Sequence, residues 1–194
     1  MLPIIQYPHP TLRHKSKPLK RLDAEVRRVV QEMFETMYAA KGVGLAANQV
    51  DLPYRLFVVN EKGDPAEKAY ERVFINPVLS GKKGMGEDEE GCLSLPGLYR
   101  QVKRPEQATI AAFDLAGKPF RLEVDGLLAR VVQHENDHLD GVLFTDRLTL
   151  TQKADVRQAL EEFEVEFSQK RSQGQFPDDA AIAARLAELE AARC

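Results

Sequence analysis

The chain has 194 residues, of which 43% are hydrophobic, and this is enough apolar material for one domain with a proper core. Its formal net charge of −3 argues against bulk binding of DNA or of an anionic membrane surface. No apolar run approaches the length of a membrane span, the first residues lack the pattern of a signal peptide, and two cysteines make no disulfide framework, so we expect a cytoplasmic protein.

The N-terminal part of the chain predicts an extended arm followed by a helix. Four prolines in residues 1–20 argue against a helix there, and His9 and His14 have no spacing that suggests metal ligation. Residues 23–41 place Val26, Val30, Met33 and Met37 at helical spacing, after Asp23 as a cap and before Gly42 as a stop.

The segment Gly42–Val50 is rich in small residues, which allow a close approach of the backbone to a substrate or to another strand. It is not a dinucleotide-binding fingerprint, because Ala47 stands where that motif needs glycine. Gln49 is its most interesting side chain, since the amide can donate a hydrogen bond into a pocket.

Four short strands are predicted at residues 56–60, 73–77, 109–113 and 120–124. A charged loop, residues 61–71, separates the first two. The acidic run Glu87–Glu90 is interpreted as solvated surface. Cys92, the only internal cysteine, is either a small buried hydrophobe or a metal ligand.

The sequence His134-Glu135-Asn136-Asp137-His138 follows an apolar run and precedes Gly141, which predicts a buried helix that ends there. Positions i and i+4 share a helix face, so His134 and His138 can bind one metal ion. Glu135 can then hold a water molecule at that metal and move its proton.

Two further helices are predicted after the metal helix. Residues 152–171 carry an apolar stripe, and an alanine-rich helix begins at Asp178 or Asp179, with Ile182, Leu186 and Leu189 on one face. We therefore divide the chain into a catalytic domain, residues 1–150, and a helical C-terminal extension, residues 151–194.

Two histidines need a third protein ligand, and the residues leave two candidates open. Metzincin proteases have a third histidine six residues after the second one. That ligand is excluded here because Phe144 stands at the position. Glu161 or Glu162 would make a thermolysin-like peptidase. Cys92 would supply a thiolate, which binds zinc or ferrous iron strongly.

Three separated segments together resemble the bacterial peptide deformylase family. They are Gly42-Val43-Gly44-Leu45-Ala46-Ala47-Asn48-Gln49, Glu90-Gly91-Cys92-Leu93-Ser94 and Gln133-His134-Glu135-Asn136-Asp137-His138, in the order and at the separations usual for the family. The resemblance covers about residues 1–150 and implies removal of the N-formyl group from the N-terminal methionine of newly synthesised proteins, with release of formate.

The resemblance also implies the roles of individual residues. Cys92, His134 and His138 bind one divalent metal ion, Fe²⁺ in the native enzyme, with Zn²⁺, Ni²⁺ or Co²⁺ able to replace it. Glu135 acts as general base and acid on a metal-bound water. The side-chain amide of Gln49 and the backbone N–H of Leu93 stabilise the oxyanion.

The expected substrate is an N-formyl-methionyl nascent peptide, met close to the ribosome. For the methionine pocket we expect Val43, Gly44, Leu127 and Val131, with the Gly44 backbone pairing with the extended peptide. Arg130 stands where some relatives have an apolar residue, and we expect it to face solvent. Many members of the family also carry an arginine a few residues after the cysteine motif, and here Gly97-Leu98-Tyr99-Arg100 occupies that region.

The fold class expected is α+β, with small antiparallel β-sheets wrapped around a central metal-binding α-helix and with C-terminal helices. Two other classes of function compete with the deformylase. One is a peptidase that cleaves internal bonds, and the other is a binding module with a structural metal, in which Glu135 would be dispensable.

Overall fold

Seven β-strands and four α-helices make up the computed structural model, which describes all residues, 1–194. The strands are β1 (Gly44–Ala46), β2 (Leu56–Val59), β3 (Arg72–Lys83), β4 (Gly86–Cys92), β5 (Leu95–Arg104), β6 (Gln107–Phe113) and β7 (Pro119–Asp125). The helices are α1 (Ala24–Ala39), α2 (Gly126–Leu139), α3 (Leu150–Ser172) and α4 (Asp179–Arg193). None of them combines the length and the apolar character needed to cross a membrane.

Helix α2 lies at the centre of the molecule. A five-stranded antiparallel sheet, in the order β1-β2-β3-β6-β7, packs Phe57, Phe74 and Ile110 against Ala129 and Val132 of the helix. The hairpin β4–β5 forms a second sheet, to which the helix is joined by polar contacts from Arg130 and His134. The α+β architecture, with small antiparallel sheets around a central helix, is therefore confirmed.

Helix α1 begins as predicted but ends at Ala39, before the predicted last residue 41. Asp23 caps it by accepting a hydrogen bond from the backbone N–H of Val26. The left-handed residue after the helix is Lys41, with φ of 57°, and not Gly42. Gly42 is needed for a different reason, since a Cβ there would lie 2.8 Å from Cδ1 of Leu93.

The hairpin β4–β5 corrects the interpretation of the acidic run Glu87–Glu90 as solvated surface. Glu87, Asp88 and Glu89 are exposed, as expected, but Glu90 is buried. Side chains alternate between the two faces of a strand, and the face of Glu90 is turned towards α2. The buried partner that stabilises it, Arg104, lies 14 residues further along the chain, beyond the reach of a local pattern.

The N-terminal arm is extended except for a 3-10 helix, Pro10–Arg13, so the expectation of no helix in residues 1–20 was wrong for this turn. Proline is tolerated at the first position of a helix because the missing N–H has no partner there. His9 is buried and caps this turn, while Nε2 of His14 lies 2.7 Å from Oε1 of Glu190. Both histidines thus have structural contacts.

The C-terminal helices pack back onto the rest of the chain. Val156 of α3 is buried beside Leu95 and Leu148, and Ile182 and Leu186 of α4 are also buried. Asp178 caps α4 through the backbone N–H of Ala181. The apolar stripes predicted for these two helices therefore face the protein interior.

Candidate active site

Helix α2 carries His134 and His138 on one face. The centroids of the two rings are 5.1 Å apart, at an interplanar angle of 68°. Both side chains are buried in the interior of the molecule. The helix stops directly after them, where Gly141 has a φ of 72° and a Cβ would lie 2.5 Å from the carbonyl oxygen of Arg13. The geometry is that of two ligands presented side by side.

Cys92 completes a group of three donor atoms. It lies at the end of β4, where the register of the hairpin shifts between Gly91 and Cys92. Its Sγ is 3.2 Å from Nε2 of His138, and the three donor atoms of Cys92, His134 and His138 all lie within 4.8 Å of one another. Donors of a tetrahedral ion should be about 3.3–3.6 Å apart for ordinary metal–ligand bonds.

Glu90 orients the ring of His134 within this group. Its Nδ1 lies 3.0 Å from Oε2 of Glu90, which leaves Nε2 to face the donor group. Burial lowers the pKa of His134, but hydrogen bonds to Cys92 and Glu90 outweigh it and raise the pKa to about 10. A carboxylate that holds one ring nitrogen is the usual support of a metal-binding histidine.

His138 is held in the neutral form that metal binding requires. Burial lowers its pKa well below the ordinary value, and the neighbouring His134 lowers it further. One thiolate and two imidazoles are a donor set suited to zinc or ferrous iron. The residues therefore fit a divalent metal ion, with three protein ligands and room for a fourth.

Glu135 is buried beside this group and faces β1. A Cβ at Gly44 would lie 2.5 Å from Oε1 of Glu135 and 2.8 Å from Cγ1 of Val131, so only glycine lets the strand approach the helix. Oε2 of Glu135 is buried and has no hydrogen-bond partner within the protein. Burial raises the pKa of this carboxyl to about 7. Such a group can take up and release a proton near neutral pH.

Gln49 presents its amide N–H to the same group of atoms. Its Oε1 accepts a hydrogen bond from the backbone N–H of Ala46, at 2.9 Å, and this contact fixes which end of the amide points outwards. Its Nε2 then lies 3.4 Å from Sγ of Cys92 and 3.4 Å from Oγ of Ser94. The amide is thus a donor directed at the candidate metal centre.

A cavity of about 490 Å³ opens onto these residues. The residues predicted for substrate and oxyanion binding all line it: Val43, Gly44, Gln49, Leu93, Leu127 and Val131. Leu127 is 53% exposed and forms part of the rim, whereas Val131 is buried deeper in the wall. Cys92, His134 and Glu135 also line the cavity, so the donor group is open to a ligand.

Arg130 and Glu90 were misjudged from the sequence. Arg130 does not face solvent, because its Nη1 donates to Oε1 of Glu90 at 2.6 Å and to the carbonyl oxygen of Val102 at 3.0 Å. Burial raises the pKa of Glu90, but hydrogen bonds from His134 and Arg104 outweigh it and hold the pKa well below the ordinary value. No local pattern indicated this group of charges, since Glu90, Arg104 and Arg130 come from β4, β5 and α2.

Glu161 and Glu162, the alternative third ligands, are not part of this donor group. Both are exposed on α3, and Oε1 of Glu161 lies 3.4 Å from Nε of Arg157. Neither belongs to the group of potential donors that His134 and His138 form with Cys92. The structure therefore does not bring either glutamate together with the two histidines, as the thermolysin-like alternative would require.

Replacing Cys92 with alanine is expected to remove most of the bound metal. The affinity should fall by more than about 100-fold, since even the partners that support a ligand are worth about 10- to 100-fold. Metal content of the purified variant, read by mass spectrometry of the elements, gives the result. Cys194→Ala removes the other free cysteine and serves as the control. Full metal content in Cys92→Ala would exclude Cys92 as a ligand.

Comparisons with known proteins agree on one family. The family model described as polypeptide deformylase matches residues 1–154. The chain is 47% identical over 190 residues to a peptide deformylase of Rhodopirellula baltica, which covers 98% of this chain and 94% of that protein. A peptide deformylase of Chromobacterium violaceum is 46% identical over 84% of this chain and 96% of its own length.

Solved structures give the same answer. A plant peptide deformylase superposes with a TM-score of 0.84 at 39% identity, over 92% of this chain and 95% of the other. A peptide deformylase from Legionella pneumophila has a TM-score of 0.78 at 40% identity, over 91% and 99% of the two chains. With this sequence similarity across nearly its whole length, the chain belongs to the peptide deformylase family of enzymes.

Proposed function

We propose that this protein hydrolyses the formamide bond of N-formyl-methionyl nascent peptides, using a divalent metal ion held by Cys92, His134 and His138. The observation that carries the proposal is the carboxylate of Glu135. One of its oxygens is buried without a partner, beside three potential metal ligands and at the wall of a cavity. A structural metal site would have no use for such a group.

The bound ion would act as a Lewis acid, polarising the formyl carbonyl and making a water molecule easier to deprotonate. Glu135 takes one proton from the water as its oxygen bonds to the formyl carbon. The same carboxyl then delivers this proton to the departing nitrogen, the carbon–nitrogen bond breaks, and formate and a free amino terminus result. Fe²⁺ is proposed as the native ion, and Zn²⁺, Ni²⁺ or Co²⁺ suit the same donors.

Two N–H groups are proposed to stabilise the oxyanion that forms at the formyl oxygen. The first is Nε2 of Gln49, whose orientation is fixed by the bond from Ala46 to Oε1. The second is the backbone N–H of Leu93, which follows Cys92 at the cavity wall. Donors held in place before the reaction cost nothing to orient during it, so they stabilise the transition state effectively.

The peptide is proposed to bind along β1, with its methionine side chain in the cavity. β1 is an edge strand, since its neighbour in the sheet is β2 alone. Its free edge can therefore form main-chain hydrogen bonds with an extended peptide. Val43 and Val131 would contact the methionine side chain, and Leu127 would cover it from the rim.

Replacing Val131 with phenylalanine should raise KM for a formyl-methionyl peptide by about tenfold, since overfilling a packed site costs about 1–3 kcal/mol. The value of kcat should change much less, because Val131 touches no reacting atom. Steady-state kinetics of both parameters give the result. Leu127→Phe, at the half-exposed rim, is the control and should have a smaller effect. Unchanged kinetics for Val131→Phe would remove this residue from the pocket.

The direct test of the function is formate release from a short N-formyl-methionyl peptide. The protein is purified without oxygen, so that ferrous iron is kept, and metal content is measured on the same sample. We expect rapid formate release that stops when the metal is removed by a chelator and returns when it is added back. A folded, metal-loaded sample that releases no formate would contradict the proposal, and casein would then test the peptidase alternative.

The proposed substrate places the reaction in the cytoplasm, close to translating ribosomes. Glu161, Glu162 and Glu166 are exposed on α3, and an acidic helix is a poor surface for RNA. Any contact with the ribosome is therefore proposed to use another face. Removing residues 151–194 tests this directly, because co-sedimentation with ribosomes should then be unchanged.

A further inference from the structure

Arg130 connects the substrate cavity to a ligand of the proposed metal through a single carboxylate. Its side chain lines the cavity and is 13% exposed. Its guanidinium is held within the protein, because Nη1 donates to Oε1 of Glu90 and to the carbonyl oxygen of Val102. A weaker contact, at 3.4 Å, joins Nη2 to the carbonyl oxygen of Gly86. Because both Nη atoms are engaged, we take the methylene stem as the part of Arg130 available to a ligand in the cavity.

The carboxylate of Glu90 receives four hydrogen bonds in a fixed arrangement. Its Oε1 accepts from Nη1 of Arg130 and from Nε of Arg104, both at 2.6 Å. Its Oε2 accepts from Nη2 of Arg104 at 2.9 Å and faces Nδ1 of His134 at 3.0 Å. The side chain of Glu90 is 4% exposed, so water does not screen these contacts.

The strength of one bond to a carboxylate depends on the others. Two guanidinium groups draw negative charge away from the carboxylate, and the bond to His134 then becomes weaker than it would be with one. A histidine whose Nδ1–H is bound less strongly is a poorer electron donor through Nε2. An ion that receives less charge from its ligands is a stronger Lewis acid.

We propose that Arg130 is a positioning residue that sets the electron-donor strength of His134 through Glu90. We further propose that a substrate side chain in the methionine pocket changes this donor strength by contact with the stem of Arg130. The inference rests on the proposed function in one respect, that the bound ion acts as a Lewis acid. A substrate side chain lying over the stem would exclude the remaining water from Arg130. The contact with Glu90 then strengthens, and the metal becomes more electrophilic when the pocket is filled.

The test compares Arg130→Met, which keeps the stem and removes the charge, with Arg130→Lys, which keeps a charge. Each protein is loaded with Co²⁺, whose visible absorption reports the field of its ligands. Arg130→Met should shift the absorption bands, slow the release of Co²⁺ to a chelator, and lower kcat by about three- to tenfold. This is below the roughly 10- to 100-fold effects of direct partners of metal ligands, because Arg130 acts through Glu90. Arg130→Lys should restore most of each change.

Arg147→Met is the matched control. Arg147 binds Asp137, which in turn binds Arg104, so this substitution disturbs the same ion-pair network without touching Glu90. It should lower Tm and leave the Co²⁺ spectrum unchanged. A general loosening of the network would shift the spectrum in both methionine variants and would overturn the proposal.

The outcomes separate this inference from the proposed function. An unchanged spectrum and an unchanged rate of Co²⁺ release in a folded Arg130→Met protein would refute the inference, while formate release by the wild type would still support a deformylase. Failure of the wild type to release formate would refute the function instead. The spectral comparison needs no turnover, so it remains a valid test of Arg130 in that case.

Discussion

Replacing Glu135 with glutamine is expected to lower kcat/KM for formate release by about 10²- to 10⁴-fold, which is the usual contribution of a general acid or base. Glutamine keeps the size of the side chain, so the close contact with Gly44 is preserved. It cannot accept a proton, so water is no longer activated by this group. Metal content should be unchanged, because Glu135 is not one of the three grouped donors.

The same substitution should leave the protein at least as stable as before. Oε2 of Glu135 is buried without a partner, and burial raises the pKa of this carboxyl to about 7. Such a group is held in the folded state at a cost, which an amide avoids in part. An unchanged or higher Tm together with lost activity would separate a catalytic role from a structural one.

Asp140→Asn is the control for Glu135→Gln. Asp140 follows the end of the same helix and pairs with Arg55, at 2.8 Å between Nη1 and Oδ1, so the variant removes a carboxylate outside the cavity. It should keep normal kinetics. If Glu135→Gln retained activity within a few-fold of the wild type, the proton would have to move through another group, and the proposed chemistry would be wrong.

The elements with a local signal were predictable from the sequence. Helix α2 has good helix formers, a terminating glycine and two histidines four residues apart, and all of these lie within 15 residues. The strands β2, β6 and β7 contain apolar and β-branched residues between turn residues, which is a local signal of a strand. Cys92 as a partner of His134 came from the family resemblance, since its contact spans 42 positions of the chain.

The parts that were missed depend on contacts between distant segments. β1 has three residues, too short for any period, and it is a strand because it pairs with β2. β4 is acidic, and its acidic residues mask the single buried one, Glu90. Nothing near Glu90 in the sequence indicates that Arg104 and Arg130 will surround it, because those arginines come from other elements. Burial of a charge is a property of the assembled fold.

Replacing Arg104 with methionine should reduce the free energy of unfolding by about 3–5 kcal/mol, the usual cost of breaking a buried ion pair from one side. Arg104 is 2% exposed and bonds to two carboxylates, Glu90 and Asp137. Methionine fills a similar volume but leaves Glu90 with one cation instead of two. Tm should fall by about 6–20 °C for a protein of this size.

Urea unfolding of metal-loaded and chelator-treated protein measures the effect on stability, and elemental analysis measures metal content. Both should decrease, because Glu90 also holds His134 in place. Arg28→Met is the matched control, since Arg28 also pairs with two carboxylates, Glu25 and Glu32, but its side chain is 62% exposed. Exposed ion pairs are screened by water, so no measurable loss is expected there.

The double variant Arg104→Met with Glu90→Gln distinguishes the loss of a good contact from the stranding of a charge. If most of the cost in Arg104→Met comes from a buried carboxylate with too few partners, neutralising Glu90 should restore part of the stability, and the two effects will not add. Additive losses would mean that each side chain stabilises the fold separately. In that case Glu90 would support His134 without needing Arg104 to balance its charge. The proposal that Arg130 sets the donor strength of His134 through Glu90 would then lose support.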